Sequence, residues 1–294
     1  MTVCEFGVSL KSTKGGKTVS KITCRLCPHH CQLDEGKIGF CRARINRSNN
    51  IEALNYGMVT AIALDPIEKK PLYHFYPGSR ILSVGSFGCN LRCPFCQNYE
   101  ISMAGLEDAQ TRRMTPKSLV ANALRLVGEG NIGLAYTYNE PLVGYEFVRD
   151  CAIEAKKNGL KNVLVTNGCF CEEPIREILP EIDALNIDLK AFTPQFYKKI
   201  SGDLETVKQT IRIASEVSHV EVTTLIVPGE NDSEEEIRAL AQWLGSLRKT
   251  IPLHLSRFFP RYKMMDRDAT NVAAVYHLAD IARESLEFVH VGNC

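Results

Sequence analysis

The chain has 294 residues, of which 45% are hydrophobic and 23% are charged, so it can bury a full core. Its 35 basic and 34 acidic residues nearly balance, which gives no electrostatic reason to expect nucleic-acid binding or a membrane surface. Residues 1–20 lack the apolar core of a secretory signal, and no apolar run approaches the length of a transmembrane helix. We therefore expect a cytoplasmic globular protein.

Cysteines are unusually frequent near the amino terminus. The chain has twelve, and because cytosolic disulfides are rare, clustered thiols there indicate metal binding or redox chemistry. Cys24, Cys27, Cys31 and Cys41 have the spacing CxxCxxxCx9C. Four thiolates can enclose a zinc ion or a fully ligated 4Fe-4S cluster, and the spacing leaves both open.

The residues that follow this cluster alternate in hydrophobicity. Residues 51–72 read as a small β-meander, which ends in the aromatic loop YHFYPGS at 73–79. Residues 1–80 are therefore predicted to form a cysteine-rich, β-containing extension with a four-cysteine metal site, and residues 81–294 a second domain.

From about residue 80, short β-branched runs alternate with helical patterns. Thr115 before Pro116, Gly159, and the pair Ser233 and Glu236 mark helix ends. The regular alternation predicts an α/β fold with parallel strands, and the absence of a glycine-rich dinucleotide turn favours a full or partial β/α barrel over an open sheet. The seven predicted strands are 80–87, 132–138, 161–168, 183–190, 219–229, 252–258 and 286–292.

A second cysteine motif follows the first barrel strand. In GCNLRCPFCQN, residues 88–98, Cys89, Cys93 and Cys96 have the spacing CxxxCxxC. Three thiolates can hold a metal or cluster and leave one coordination position open, whereas four close the site. Functional residues of barrels lie on loops at the carboxyl ends of strands, so this position favours catalysis.

This motif, with Phe95 just before its last cysteine, resembles the signature of radical S-adenosylmethionine (SAM) enzymes. The resemblance implies a partial (β/α)6 barrel whose three cysteines bind a 4Fe-4S cluster, with SAM on the fourth iron. It further implies that one electron cleaves SAM to a 5′-deoxyadenosyl radical, which abstracts hydrogen from a substrate. The chain would then be an oxygen-sensitive oxidoreductase that needs an external one-electron donor, flavodoxin or ferredoxin.

The same resemblance implies the SAM contacts. YTYNEP at 136–141 stands where the superfamily has a Gly-Gly-Glu motif, VTNG at 165–168 resembles a segment of the glycyl-radical-enzyme activases, and DLK at 188–190 resembles their aspartate-any-lysine motif. The implied cofactor-binding residues are Phe95, Asn98, Thr137, Asn139, Glu140, Thr166, Asn167, Asp188, Lys190 and His254.

A narrower resemblance is to the radical proteins of the AmmeMemoRadiSam system, which lie beside the pyruvate formate-lyase activases. It implies Memo-like and AMMECR-like partners. The motifs that carry it are CRLCPHHCQLDEGKIGFCRAR (24–44), LYHFYPGS (72–79), GCNLRCPFCQN (88–98), TYNEP (137–141), NIDLKAF (186–192), VPGEND (227–232), RFFPRYKM (257–264) and VHVGN (289–293).

Several alternatives stay open. The three-cysteine loop could be a structural zinc site completed by a distant histidine. The same chemistry could generate a glycyl radical on a partner enzyme, or modify an RNA base or a peptide. A non-catalytic cysteine-rich protein that binds RNA or a protein partner is a further possibility, although the near-neutral charge is unfavourable for RNA.

Overall fold

The computed structural model describes residues 7–14 and 17–294, with side chains from residue 21 onward. Cys4 therefore lies outside the described residues. The first residues of the segment 1–20, in which no secretory signal is expected, lie outside them as well. In the part of the chain that is described, no helix is both long and apolar enough to cross a bilayer.

The amino-terminal part consists of short antiparallel strands. The first two strands pair with each other and the second also pairs with the third, while the fourth and fifth form a hairpin. The β-meander predicted over residues 51–72 is wrong, because each of the three strands in this segment pairs with a strand outside it. The bounds are β1 Gly7–Lys14, β2 Lys17–Cys24, β3 Gln32–Leu33, β4 Arg44–Arg47, β5 Asn50–Ala53, β6 Met58–Val59 and β7 Ala61–Pro66.

The remainder alternates strands with helices. All seven predicted strands are present, and most end two or three residues earlier than predicted, because their last residues already belong to the loops at the carboxyl edge. The elements are β8 Arg80–Gly85, α1 Tyr99–Ser102, β9 Arg112–Arg113, α2 Pro116–Arg125, β10 Asn131–Tyr136, α3 Tyr145–Lys157, β11 Lys161–Thr166, α4 Glu172–Ile178, β12 Ala184–Asp188, α5 Pro194–Lys199, α6 Leu204–Val217, β13 His219–Ile226, α7 Glu234–Leu247, β14 Leu253–Arg257, α8 Val272–Arg283 and β15 Val289–Gly292.

The described strands form an eight-stranded central sheet in the order β15-β14-β13-β12-β11-β10-β8-β7. Neighbours from β8 to β15 are parallel, and β7 pairs antiparallel with β8 at the edge. The predicted α/β fold with parallel strands and an amino-terminal β-containing extension is confirmed. The boundary at residue 80 stays a prediction, since the β7–β8 pairing crosses it.

Helix ends follow the sequence signals with one exception. Thr115 caps α2 in a reciprocal box with Ser118, and Gly159 has a φ of +72° just beyond α3. Ser233 caps α7 by accepting a hydrogen bond from the Glu236 N–H. The Glu236 carboxylate does not close that box, because it accepts from the Phe192 N–H at 2.6 Å instead.

The aromatic loop between β7 and β8 fills the amino-terminal end of the barrel. We call this segment, residues 67–79, the plug. Its apolar side chains are buried against inward-facing apolar side chains of four strands, and they are Ile67, Leu72 and Phe75. Glu221 of β13 holds the plug, since it accepts from the N–H groups of Tyr73 and His74 at 3.0 and 2.8 Å. The plug thus leaves the cavity of the barrel at its carboxyl end.

Candidate active site

A cavity of about 360 Å³ lies at the carboxyl ends of the central strands. Cys89, Cys93 and Cys96 line it together with nine of the ten predicted cofactor-binding residues. The full lining is Lys69, Lys70, Pro71, Cys89, Leu91, Cys93, Phe95, Cys96, Gln97, Asn98, Ser102, Thr137, Tyr138, Asn139, Glu140, Val165, Thr166, Asn167, Asp188, Lys190, Thr223, Leu225, Ser256 and Asn293.

The three-cysteine loop begins at a glycine that no other residue replaces easily. Gly88 has a φ of +90°, and a Cβ at this position would lie 2.6 Å from the carbonyl oxygen of Cys41. Asn139 fixes the same turn, because its Nδ2 donates to the Gly88 carbonyl at 3.0 Å and its Oδ1 accepts from the Ser86 N–H at 2.9 Å. The Asn139 amide therefore positions the loop.

Asn90, which the sequence analysis did not single out, ties the loop to the neighbouring strand ends. Its side chain is fully buried, donates to the carbonyl of Cys169 at 2.7 Å and accepts from Asn167 Nδ2 at 2.8 Å. Asn167 Nδ2 also lies 3.7 Å from Cys89 Sγ. Burial raises the pKa of the Cys93 thiol to about 12, so metal binding at this loop must displace protons.

Glu140 is a buried carboxylate at the end of β10, 3% exposed. It accepts hydrogen bonds from Thr166 Oγ1 at 2.9 Å, from the Asn167 N–H at 2.8 Å and from the Leu142 N–H at 3.0 Å. Burial raises its pKa to about 7 against the lowering effect of these donors. A cation that enters the cavity would favour the ionised carboxylate.

Asp188 and Lys190 form an ion pair on the same rim. Lys190 Nζ lies 2.7 Å from Asp188 Oδ2, and the Lys190 N–H donates to the Tyr197 hydroxyl at 3.0 Å. Burial lowers the pKa of Lys190, but Asp188 more than offsets this and the net direction is upward. At these strand ends the cavity therefore offers the buried carboxylate of Glu140 and the paired ammonium of Lys190, the groups that would complement an amino acid's ammonium and carboxylate.

His254 is the one predicted cofactor contact that the structure places outside the cavity lining. It is buried, and its Nε2 lies 2.6 Å from Glu221 Oε2, below the plug residue Tyr73. Side chains two apart on a strand share a face, so His254 stands beneath Ser256, which does line the cavity. The proposed role of His254 as a cofactor contact stays a prediction.

The structure also adds cavity residues that the sequence analysis did not predict. The plug contributes three of them, Lys69, Lys70 and Pro71. No local sequence pattern predicts that this segment packs into the barrel. Tyr138 lies within YTYNEP and also lines the cavity. It has a φ of +73°, and its carbonyl accepts from Asn98 Nδ2 at 2.8 Å.

The four amino-terminal cysteines line a separate small pocket. Backbone N–H groups of Leu26, His29 and Ala43 donate to Cys24, Cys27 and Cys41 respectively, and the Phe40 N–H lies 3.4 Å from Cys31 Sγ. Such donors stabilise thiolates. Nevertheless, among the side chains that the structure describes, no three from His, Cys, Asp or Glu are grouped to hold a single metal ion, at this pocket or at the three-cysteine loop.

This pocket packs directly on the three-cysteine loop. His29 Nε2 lies 2.8 Å from the Asn90 carbonyl oxygen. The Arg92 guanidinium stacks on the Phe40 ring at 3.8 Å and donates to the carbonyls of Cys89 and Phe40. The two cysteine sets are therefore neighbours in space.

Comparison with known proteins decides the family. The model of the radical SAM superfamily matches residues 83–244, which include the three-cysteine loop and the cavity-lining ends of β10 to β13. The chain belongs to the radical SAM superfamily. Its cofactors are accordingly a 4Fe-4S cluster and SAM.

Individual relatives extend the match. The chain is 40% identical over 278 residues, 93% of this chain and 82% of the relative, to "Uncharacterized protein MJ0808" of Methanocaldococcus jannaschii. It is 27% identical over 222 residues, 68% of this chain and 89% of the relative, to the pyruvate formate-lyase-activating enzyme of Clostridium pasteurianum. This radical SAM protein is thus related to the pyruvate formate-lyase activating enzymes.

A solved structure shows the same fold. The crystal structure of a radical SAM methyltransferase from Sphaerobacter thermophilus aligns with a TM-score of 0.56 and 15% identity, covering 97% of this chain and 76% of that one. The residues of the cavity fit the cofactors, because three cysteines of one loop share it with the buried carboxylate of Glu140 and the ammonium of Lys190.

Proposed function

We propose that this protein is an oxidoreductase that cleaves SAM reductively and uses the resulting 5′-deoxyadenosyl radical to abstract hydrogen from a substrate. The supporting observation is that Cys89, Cys93 and Cys96 line one cavity with the Glu140 carboxylate and the Asp188–Lys190 pair. When bound, the cluster and SAM supply the electron transfer and the radical chemistry. The protein's own residues hold the reactants and exclude water.

Each group has an assigned task in this proposal. Cys89, Cys93 and Cys96 ligate the 4Fe-4S cluster, and Phe95, 5% exposed, shields it. Glu140 and Thr137 accept hydrogen bonds from the ammonium of SAM, and Lys190 binds its carboxylate. Hydrogen bonds described above hold the three-cysteine loop against the ends of β10 and β11. The residues that make them are Asn98, Asn139, Thr166 and Asn167.

An anaerobic reconstitution with iron and sulfide tests the proposal. After addition of dithionite and SAM, 5′-deoxyadenosine should appear with the wild-type chain and disappear with Cys93→Ala. The matched control is Cys151→Ala, which removes a buried thiol of α3 that does not line the cavity. Equal 5′-deoxyadenosine formation in Cys93→Ala and in the control would overturn the assignment of the loop.

We also propose a second metal centre at Cys24, Cys27, Cys31 and Cys41, either zinc or an auxiliary 4Fe-4S cluster. The convergence of four thiols on one pocket and their backbone donors support it. Iron and zinc should be counted in a Cys89→Ala, Cys93→Ala, Cys96→Ala triple variant. About four irons or one zinc per chain would support the site, and metal-free protein would contradict it.

The partners and setting are proposals as well. Radical SAM enzymes usually take their electron from flavodoxin or ferredoxin, so we propose such a donor here. We assign the chain to the AmmeMemoRadiSam system, with Memo-like and AMMECR-like partners, on the motifs quoted above. We place the protein in the cytoplasm, since iron-bound thiolates require a reducing compartment. We also propose that it divides into two domains, residues 1–80 and 81–294.

One relative favours a second candidate substrate. The similarity to the pyruvate formate-lyase-activating enzyme of Clostridium pasteurianum makes a glycyl radical on a partner enzyme an alternative product. That reaction needs access for a polypeptide loop to the cavity. A glycyl-radical signal by electron paramagnetic resonance, on adding a candidate partner enzyme to the reduced protein with SAM, would support it. Absence of that signal would favour the first proposal.

A further inference from the structure

The plug places a lysine ammonium in the wall of the cavity, where the cofactor contacts make no use of it. Lys70 is 3% exposed and lines the cavity together with Lys69 and Pro71. Its Nζ lies 2.8 Å from Asp65 Oδ2 and 4.8 Å from the centroid of the Tyr138 ring.

One carboxylate serves several donors at this position. Asp65 Oδ2 also accepts from the Tyr138 hydroxyl at 2.7 Å, and Asp65 Oδ1 lies 3.6 Å from Lys69 Nζ. Two ammonium groups therefore share a single carboxylate, which leaves one positive charge in excess. An ammonium group has three donors, and the acceptor that the described residues give Lys70 Nζ is Asp65.

Two backbone features, at Tyr138 and Gly85, hold this arrangement in place. Tyr138 adopts a φ of +73°, which is uncommon for a residue with a side chain. Its ring lies over Gly85, where a Cβ would approach Tyr138 Cδ2 to 2.9 Å. Strained residues in a cavity are found where function maintains them. The missing side chain of Gly85 and the positive φ of Tyr138 together allow the tyrosine hydroxyl to reach Asp65.

Burial of this lysine has an energetic consequence. Burial lowers the pKa of Lys70, against the raising effect of Asp65, while Asp65 is held at about 2 by Lys70 and Tyr138 although burial opposes this. Asp65 is therefore ionised at neutral pH, and a second anionic partner would offset the desolvation of the Lys70 ammonium. A perturbed charged group in a cleft is a candidate for ligand binding.

We propose that Lys70, with Lys69 beside it, binds an anionic oxygen group of the substrate, a carboxylate or a phosphate. This inference rests on the proposed function and specifies its substrate class. Glu140 and the Asp188–Lys190 pair serve SAM, and the wall near Thr223 and Ser256 offers uncharged hydroxyl groups. The substrate would therefore be anchored by its anionic end at the plug and present a C–H bond toward the loop of Cys89.

Binding of simple probes to the reconstituted, SAM-loaded holoprotein tests this proposal, since SAM then occupies the Lys190 site. Succinate and inorganic phosphate should be titrated calorimetrically under anaerobic conditions, with succinamide as the uncharged control. We expect at least one anion to bind the wild-type protein, at least tenfold weaker binding to Lys70→Met, and no binding of succinamide. The probe that binds tighter distinguishes a carboxylate substrate from a phosphorylated one.

Two further variants keep the result interpretable. Lys117→Met changes an exposed lysine of α2 and should bind the anions as the wild type does. The single variant leaves the Asp65 carboxylate without its ammonium partner and could fail to fold for that reason. The double variant Asp65→Asn, Lys70→Met removes both charges and avoids this problem. It should also lose anion binding. Failure of both anions to bind the wild type, or equal binding by the Lys70 variants, would overturn the proposal. Formation of 5′-deoxyadenosine by the same wild-type preparation tests the proposed function separately.

Discussion

Thr166 Oγ1 donates a hydrogen bond to Glu140 Oε1 at 2.9 Å, across the carboxyl ends of two neighbouring strands. The sequence analysis predicts both residues as cofactor contacts. In the structure, the threonine hydroxyl orients the carboxylate. Together with the Asn167 N–H on Oε2, this bond fixes both oxygens of Glu140 at the cavity wall. These hydrogen bonds orient the carboxylate at the cavity wall.

Glu140→Gln should weaken SAM binding by about 10- to 100-fold, since a charge-assisted hydrogen bond contributes about 1.5–3 kcal/mol. The pKa of Glu140 is raised to about 7, so the carboxyl is largely protonated below that pH and ionised above it. Wild-type affinity for SAM should therefore rise between pH 6 and 7.5, and the Gln variant should lack this rise. Calorimetry on the reconstituted protein measures both.

The exposed Glu234 of α7 provides the control, because Glu234→Gln should leave SAM affinity unchanged. A wild-type affinity that stays flat from pH 6 to 7.5 would contradict the assigned role of Glu140.

Asn90→Ala should lower the free energy of unfolding by about 2–4 kcal/mol, because it removes two buried hydrogen bonds and leaves the Cys169 carbonyl and Asn167 amide without their partner. It should also reduce the iron bound after reconstitution, since Asn167 then loses its restraint beside Cys89. Urea unfolding and an iron assay measure the two effects. Asn158→Ala, at the exposed end of α3, is the control. Full iron content together with unchanged stability would show that Asn90 does not position the loop.

The contrast between Asn90 and Glu140 shows what the sequence could predict. Strand order, helix caps and the three-cysteine motif depend on local patterns, so periodicity and spacing located them. Asn90 and Glu221 act through partners 79 and 148 residues away in number, so no local pattern identifies them. Lys70 belongs to the plug, and its place in the cavity wall depends on how the plug packs into the barrel. His254 illustrates the same limit, since its strand was predicted correctly while its partner Glu221 lies 33 residues away in number.

Gly88→Ala should destabilise the protein more than Gly36→Ala does. Both glycines have positive φ, +90° and +73°, so both substitutions carry the backbone cost of about 1 kcal/mol. Only at Gly88 would the new Cβ meet backbone, the Cys41 carbonyl oxygen at 2.6 Å, whereas Gly36 has nothing within 4 Å. Thermal unfolding of the two variants compares these costs directly. Equal destabilisation would show that the two cysteine segments separate easily and would contradict their close packing.

Glu221→Gln should loosen the plug. Burial raises the pKa of Glu221, but donors from His219, His254 and the backbone of His74 and Tyr73 outweigh it and hold the pKa at about 2. Because the folded pKa lies below the ordinary 4.5, the ionised carboxylate stabilises the fold above pH 4.5, and this contribution is lost as pH falls toward 2. The shift corresponds to about 3 kcal/mol at neutral pH.

Urea unfolding of wild type and Glu221→Gln at pH 7, 5 and 3.5 measures this contribution. The difference in free energy of unfolding should be near its full value at pH 7 and 5 and smaller at pH 3.5. Glu284→Gln, an exposed carboxylate at the end of α8, should show little difference at any of these pH values. A Glu221 difference that grows as pH falls would mean that the carboxylate is not the ionised anchor of the plug.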